Sequence, residues 1–285
     1  MQQRIFKYPA IALIICVTVV VWIIGPAASG KTRSENPNVA LEPGETGTVS
    51  FVIDGDGFVL EGGLKVQLAG IEAPQRAWPE QDLAGFPLAD EAQQYLQQLV
   101  KGKTVKLFYG GKTRDRFDRA LAQVWLVDET GEKQQWLQET VLSAGYARVY
   151  TWPDTDVDVT SFYLAEQAAR KARRGIWNNR RTKSFYKIRK PDPNPLAQYV
   201  DSLQVVEGVV VSTTDVRGTV FLNFGSDYKT DFTVGVSKKR VKAFQAQGID
   251  PLKLEGARIR VRGWLELQNG PIIWANDPRR IEIVN

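Results

Sequence analysis

The runs Val52-Ile53-Asp54-Gly55-Asp56-Gly57 and Val66-Gln67-Leu68-Ala69-Gly70-Ile71-Glu72-Ala73-Pro74-Gln75 decide how this chain reads. Val49, Phe51 and Ile53 alternate ahead of Asp54-Gly55, a hairpin-type turn, and Phe58 and Leu60 follow it. Gly62-Gly63 then turns the chain into Leu64, Val66 and Leu68. Three short strands without a helix between them predict an antiparallel meander. An Asp-Gly between alternating strands is most often only a turn, so its acids need support from elsewhere before they count as a site.

Further along, Ala92, Tyr95, Leu96, Leu99 and Val100 recur at helical spacing and Gly102 closes the run. Val105 to Tyr109 and Leu121 to Val127 add two strands. The order β-β-β-α-β-β is that of an OB-type five-stranded barrel. Two amphipathic helices follow, near Trp136–Ala144 and Tyr163–Arg174, each ended by a glycine, Gly145 and Gly175. Pro191, Pro193 and Pro195 punctuate a linker.

A second module repeats the order. Val205, Val209 and Val211 lead to Gly218, then Val220, Leu222 and Phe224, then Phe232, Val234 and Val236. A helix capped by Ser237 carries Val241 and Phe244 on one face, with Gly248 after it. Ile259, Val261 and Gly263-Trp264 form a strand, and Asn269-Gly270-Pro271 turns into Ile272, Ile273, Ile281 and Ile283. The expected fold is mostly β (α+β), two OB-like five-stranded barrels, the first with additional C-terminal helices. The expected divisions are a signal peptide or membrane anchor at 1–29, a linker at 30–45, the first barrel and its helices at 46–177, a basic linker at 178–202 and the second barrel at 203–285.

Composition narrows the chemistry. The 285 residues, 43% hydrophobic and 24% charged, include no histidine. That excludes Ser-His and Cys-His nucleophile pairs and imidazole metal ligands. The single cysteine, Cys16, excludes an intrachain disulfide and a thiolate zinc site. Carboxylate, guanidinium, ammonium and hydroxyl remain, a set suited to hard cations and phosphates. Residues 170–190 hold ten Lys and Arg and no Asp or Glu, which against a whole-chain charge of +5 leaves −5 elsewhere. The basic character is a local block, either a polyanion footprint or a solvated helix end.

At the amino terminus, Arg4 and Lys7 precede an uncharged run whose apolar heart, Ile11 to Ile24, is shorter than the about 20 residues of a bilayer span. It fits a secretory signal with Ala27-Ala28-Ser29 as exit, or an uncleaved anchor if Pro9 to Ala28 spans. The protein is therefore expected to be exported, as a periplasmic or secreted protein or one anchored in the cytoplasmic membrane. Gly25-Pro26-Ala27-Ala28-Ser29-Gly30-Lys31-Thr32 matches a phosphate-loop pattern, but the Pro-containing stretch after it is no helix that could aim amides at phosphate. No nucleotide cofactor is expected.

Over about residues 46–177 the chain resembles the thermonuclease, or staphylococcal nuclease-like, family. Asp54-Gly55-Asp56 falls at the family's D-G-D turn, and Leu68-Ala69-Gly70-Ile71-Glu72-Ala73-Pro74 at its R-L-x-G-I-D-A-P-E run. Arg116-Phe117-Asp118-Arg119-Ala120-Leu121-Ala122 falls at its D-x-x-G-R-x-L-A strand. Ala144-Gly145-Tyr146-Ala147-Arg148-Val149, and Ala165-Glu166 leading to Gly175-Ile176-Trp177, add support. The resemblance implies a calcium ion held by Asp56 and Glu72, at a weakened site, and a phosphate-steadying arginine in Arg119. It also exposes departures. The family's other arginine is Gln67, its proposed base is Gln75, and the threonine after its D-G-D is Gly57. Glu80, in the loop after Gln75, is a candidate substitute base.

Three readings stay open. The leading one is an exported, catalytically impaired thermonuclease-like protein that binds nucleic acid or another polyanion through the basic block. There Arg173, Arg174, Arg180, Arg181, Lys183 and Lys187 would meet phosphate, and Tyr186, with Phe185 and Trp177, would stack on bases. The second is an active calcium-dependent endonuclease of DNA or RNA. The third is an envelope adaptor whose basic block meets anionic lipid. In the second module Phe221, Phe224, Tyr228, Phe232, Trp264 and Trp274 are either a stacking platform or core.

Overall fold

The computed structural model describes residues 40–77 and 85–284. The expected signal or anchor segment, the phosphate-loop match and Glu80 lie outside the described residues. Among the described residues no helix is long and apolar enough to cross a membrane.

β1 (Glu42–Val52), β2 (Gly57–Leu60) and β3 (Lys65–Leu68) form the expected meander; β4 (Ile71–Glu72), α1 (Ala89–Val100), β5 (Thr104–Tyr109) and β6 (Ala120–Val127) follow. β1 pairs antiparallel with β2 and β5, β2 with β3, and β5 with β6. A parallel pairing of β3 with β6 closes the ring. Inside it Val52, Phe58, Val66, Leu68, Leu107, Ala122 and Val124 are buried. Phe51 departs from the simple alternation. A register shift between Val49 and Phe51 turns the strand, so Val52 fills the core and Phe51 is 56% exposed.

β7 (Lys133–Trp136), α2 (Leu137–Ala144), β8 (Arg148–Val149) and α3 (Val159–Lys171) complete this half. Gly145 ends α2 at φ +78, as expected. Gly175 does not end α3. It opens a short 3-10 turn, Gly175–Trp177, and a side chain there would collide with the Gly145 carbonyl, which accepts from Ile176 N–H at 2.8 Å. The glycine is needed because two backbones cross.

The stretch expected to be a linker is packed rather than extended. Tyr186 joins Ala169, Ile176 and Trp177 in a small core of its own, and α4 (Pro193–Ala197) buries Leu196 in the core of the next barrel. That barrel is built from β9 (Leu203–Val209), β10 (Ser212–Val216), β11 (Thr219–Asn223), β12 (Thr233–Val236), α5 (Lys238–Ala246), β13 (Arg258–Leu267), β14 (Pro271–Trp274) and β15 (Ile281–Ile283). β12 pairs parallel with β14, the counterpart of β3 with β6, and β13 pairs antiparallel with β9, the counterpart of β5 with β1. Phe224 and Phe232 are core. Ser237 stands at the start of α5 without a side-chain capping bond.

The two barrels belong to one compact unit. Their seam is polar and buried. Arg262, on the outer face of β13, is 1% exposed and donates to Glu166 of α3 at 2.8 Å, to Glu282 at 2.8 Å and to the Val149 carbonyl at 3.2 Å. Its guanidinium also lies 4.4 Å from the Tyr163 ring. Although burial pulls its pKa down, Glu166, Tyr163 and Glu282 hold it above the ordinary arginine value. Around it, Tyr163 donates to the Arg279 carbonyl, Arg148 to the Leu203 carbonyl and Arg280 to the Thr151 carbonyl.

Removing one partner of a buried pair strands the other charge, at a cost of about 3–5 kcal/mol. Arg262→Ala is expected to lower unfolding stability by about that amount in urea. Arg262→Met with Glu166→Leu should recover part of it, because the buried guanidinium and its buried carboxylate leave together while Glu282 keeps Arg260 as a partner.

Candidate functional site

The first acidic run forms a tight turn. Ile53 N–H donates to the Gly57 carbonyl at 2.9 Å, and Asp54 Oδ1 accepts from Asp56 N–H at 3.1 Å. Gly55 is there for closeness: a Cβ would stand 2.7 Å from Ala73 Cβ and 2.8 Å from Ala92 Cβ. The turn is thus pressed between α1 and the segment after β4. Asp56 ties the two acidic runs together. Its carbonyl accepts from Leu68 N–H at 2.9 Å and its Oδ2 accepts from Ala73 N–H at 2.7 Å.

Glu72 is brought to the same place by the β4–β8 ribbon, in which Ile71 pairs with Val149 and Glu72 with Arg148. Asp56 is 6% exposed and Glu72 is half-buried. Burial, then the charges of Asp54 and Glu72, push the Asp56 carboxyl well above the usual carboxylate range. Burial and Asp54 push Glu72 up to about 7, against the opposing pull of Arg148, Arg119 and Arg280. Two adjacent acids that resist ionisation lack a sufficient counter-charge, which is the electrostatic condition a bound cation relieves.

The donors suit a hard cation, since both are carboxylates. Among the described residues, however, no three His, Cys, Asp or Glu side chains converge into a set that would hold a metal by themselves. Asp56 already spends one oxygen on Ala73 N–H. Calcium takes six to eight oxygens, so Asp56 and Glu72 would supply only a minority of the ligands of such an ion.

The remaining expected residues divide. Gln67 faces Gly57 across β2 and β3 and is 8% exposed. Its Oε1 is buried without a hydrogen-bond partner, 3.6 Å from where a Gly57 Cβ would stand. Gly57 also lets the Asp54 carboxylate fold over it, since a Cβ would lie 2.8 Å from Asp54 Oδ1. Gln75 is exposed, and its carbonyl accepts from Phe86 N–H at 2.8 Å. Arg119 is close enough to influence Glu72 but is engaged by Asp115, its Nε 2.6 Å from Oδ2.

Two cations were not anticipated. Arg148 is 2% exposed, and burial brings its pKa down to about 10. It lies inside the Ala144–Val149 run, and pairing that run with the acidic strand would have revealed it. Arg280 comes from the turn before β15, with its guanidinium 3.9 Å from the Tyr150 ring. Nothing local in the sequence announces it.

In the basic block, Arg173, Arg174, Arg180, Arg181, Lys183 and Lys187 are all exposed. Tyr186 is not available for stacking. It is 1% exposed and its hydroxyl donates to the Pro87 carbonyl at 2.7 Å, because the segment fills a core instead of crossing open surface. Trp177 is buried too, at 4% exposed.

A closed five-stranded barrel, with an acidic turn beside Glu72 and three arginines acting on that acid, defines an OB-type protein. Comparison with known proteins narrows the class. The family described as staphylococcal nuclease homologue matches residues 65–179. Endonuclease YhcR of Bacillus subtilis (strain 168) is 30% identical over 163 residues, covering 53% of this chain and 13% of that protein. The thermonuclease of Staphylococcus intermedius is 27% identical over 137 residues, covering 47% of this chain and 77% of its own. That of Staphylococcus hyicus is 26% identical over 170 residues, covering 59% and 95%. Residues 65–179 are a staphylococcal nuclease-like segment, and the chain spans only a small part of the length of the Bacillus subtilis relative.

The raised carboxyls predict a pH dependence. Between the ordinary glutamate value of 4.5 and about 7 the folded protein retains a proton on Glu72 that the unfolded chain has lost. With divalent cations chelated, stability should therefore fall as pH rises through that window. Glu72→Gln should flatten the decline, as read from thermal unfolding midpoints across pH.

Proposed function

We propose that this is an exported, catalytically impaired thermonuclease-like protein that binds nucleic acid through its acidic turn and basic block. The observation that carries the reading is the uncharged Gln67, whose amide oxygen lies buried and unpartnered at the position where the resemblance implies an arginine. Phosphodiester hydrolysis builds negative charge on equatorial oxygens and requires a proton to leave water. A carboxamide has neither charge to oppose the first nor basicity to accept the second. Loss of one preorganised donor costs about 10²–10³ in rate, and loss of a base about 10²–10⁴. The two effects need not multiply.

In this reading Asp56 and Glu72 hold a calcium ion, which when bound polarises a phosphate oxygen. Arg119, already paired with Asp115, orients phosphate with part of its charge spent. The exposed Arg173, Arg174, Arg180, Arg181, Lys183 and Lys187 supply a sequence-independent attraction. Export, to the periplasm or medium or to a membrane anchor, rests on residues 1–29. The divisions at 46–177, 178–202 and 203–285 are likewise proposed.

One observation favours the second reading, an active calcium-dependent endonuclease. Arg148 stands beside Glu72 and restores a positive charge that Gln67 lacks. Its guanidinium, though, is buried and donates to the Leu203 carbonyl, so it is turned toward the seam.

The test scores binding and cleavage together on labelled single- and double-stranded DNA and RNA, with calcium and with chelator. Wild type is expected to bind with an affinity that falls steeply with salt, and to cleave little. Gln67→Arg combined with Gln75→Glu should bring calcium-dependent cleavage at least about 10²-fold faster. Wild type cutting as fast as the double variant would refute the impaired-enzyme reading.

A further inference from the structure

Beside the turn after the nuclease-like segment lies a half-open pocket of about 410 Å³ lined by Pro87, Arg181, Thr182, Lys183, Phe185 and Tyr199. Its volume falls in the range of small-ligand sites, about 300–1,000 Å³. Two of the lining residues are cations and two are aromatic, which suits a ligand joining a flat ring to an anion.

The aromatic part is fixed from beneath. Arg189, 6% exposed, donates to the carbonyls of Ser184 at 3.2 Å and Phe185 at 3.0 Å, and to Gln204 Oε1 at 2.9 Å. The same guanidinium lies 3.3 Å from the Tyr199 ring centroid. One buried cation thus holds both aromatic residues, whose rings meet edge to face at 5.6 Å. Phe185 also touches Phe86, at 5.3 Å. Lys183 and Ser184 adopt φ +48 and +60, consecutive left-handed residues that are not glycine. Their surroundings hold them there against a steric cost, and the effect is to place the Lys183 and Phe185 side chains at one opening.

At the rim, Arg181 and Lys183 are exposed. Arg181 contacts Glu91 at 3.0 Å through one nitrogen, which leaves its other donors for an anion.

We propose that this cavity takes one nucleotide of a single-stranded nucleic acid, its base against Phe185 and Tyr199 and its phosphate on Lys183 and Arg181. The inference rests on the nucleic-acid reading above and gives it a substrate class. A base paired and stacked within a duplex cannot turn out of its stack to lie in this pocket, whereas an unpaired base can. The cavity therefore selects single strands, while the exposed cations outside it serve any polyanion.

Fluorescence anisotropy of the full chain with a short labelled oligothymidylate and a duplex of equal length, in chelator to prevent cleavage, tests this. Phe185→Leu keeps apolar bulk and removes the aromatic face; it should weaken single-strand binding about five-fold or more and leave duplex binding unchanged. Lys183→Gly removes a charge where the backbone already favours glycine, so thermal stability should hold or rise. It should reduce the slope of log affinity against log salt by about 0.7 for the single strand. If both variants bind the single strand as wild type does, the cavity is no nucleotide site, although the wider reading survives. If Lys183→Gly loses binding to anionic phospholipid vesicles while keeping the oligothymidylate, the cavity serves a lipid and the proposal falls. If wild type binds no nucleic acid at all, this proposal and the nucleic-acid reading fall together.

Discussion

The buried contact between Arg262 and Glu166 is the constraint on which the rest of the molecule depends. One Glu166 oxygen accepts from both Arg262 and Val149 N–H, each at 2.8 Å. Arg262 returns to the same residue by donating to the Val149 carbonyl. β8 is thereby clamped between a helix of one barrel and a strand of the other. Because β8 is the pairing partner of β4, the clamp also sets where Glu72 stands. A pair so buried contributes little net stability, since the desolvation of two ions offsets most of their attraction. Its effect is to dictate a single arrangement of the seam.

The site at the end of that chain of contacts is a balance among acids and cations. The charge of Asp54 raises the cost of ionising Asp56 and Glu72, Glu72 adds to that of Asp56, and three arginines lower the cost for Glu72 without restoring an ordinary pKa. All three arginines have other engagements: Arg119 with Asp115, Arg148 with Leu203, Arg280 with Thr151. A guanidinium committed in this way contributes field but few free donors. That separates holding a phosphate, which field alone favours, from breaking it, which requires a donor or base aimed at the reacting atoms.

The sequence conveyed the barrels and the acidic residues well because both are local properties. Alternation and turn residues mark β2, β3, β11 and β12, and the D-G-D turn is complete within a few positions. It conveyed poorly whatever depended on a partner distant in the chain. Phe51 follows the alternation on paper but is turned outward by a bulge that only pairing with β2 produces. Val206 and Val210, not Val209 and Val211, line the second core, because β9 is covered on its other face by the seam as well and apolarity there no longer reports one side. Tyr186 lies in a basic, Pro-flanked stretch with the composition of a surface, and only its contact with Pro87 and the end of α3 makes it core. The acidic half of the site was therefore readable, while its cationic half was spread over β8 and the turn before β15.

That spread gives the second barrel a part in the electrostatics of Glu72. Arg280 belongs to its closing turn, and Arg148 is anchored on the first residue of β9, Leu203. Without the second barrel the acidic pocket would lose Arg280 outright, and Arg148 would lose the carbonyl that holds it. The pocket would then be more negative. A cation would be drawn in more strongly, a phosphate less, and Glu72 would keep its proton to higher pH. The two barrels are in this sense one electrostatic object, and the arginines held at their seam offset part of the negative charge around Glu72.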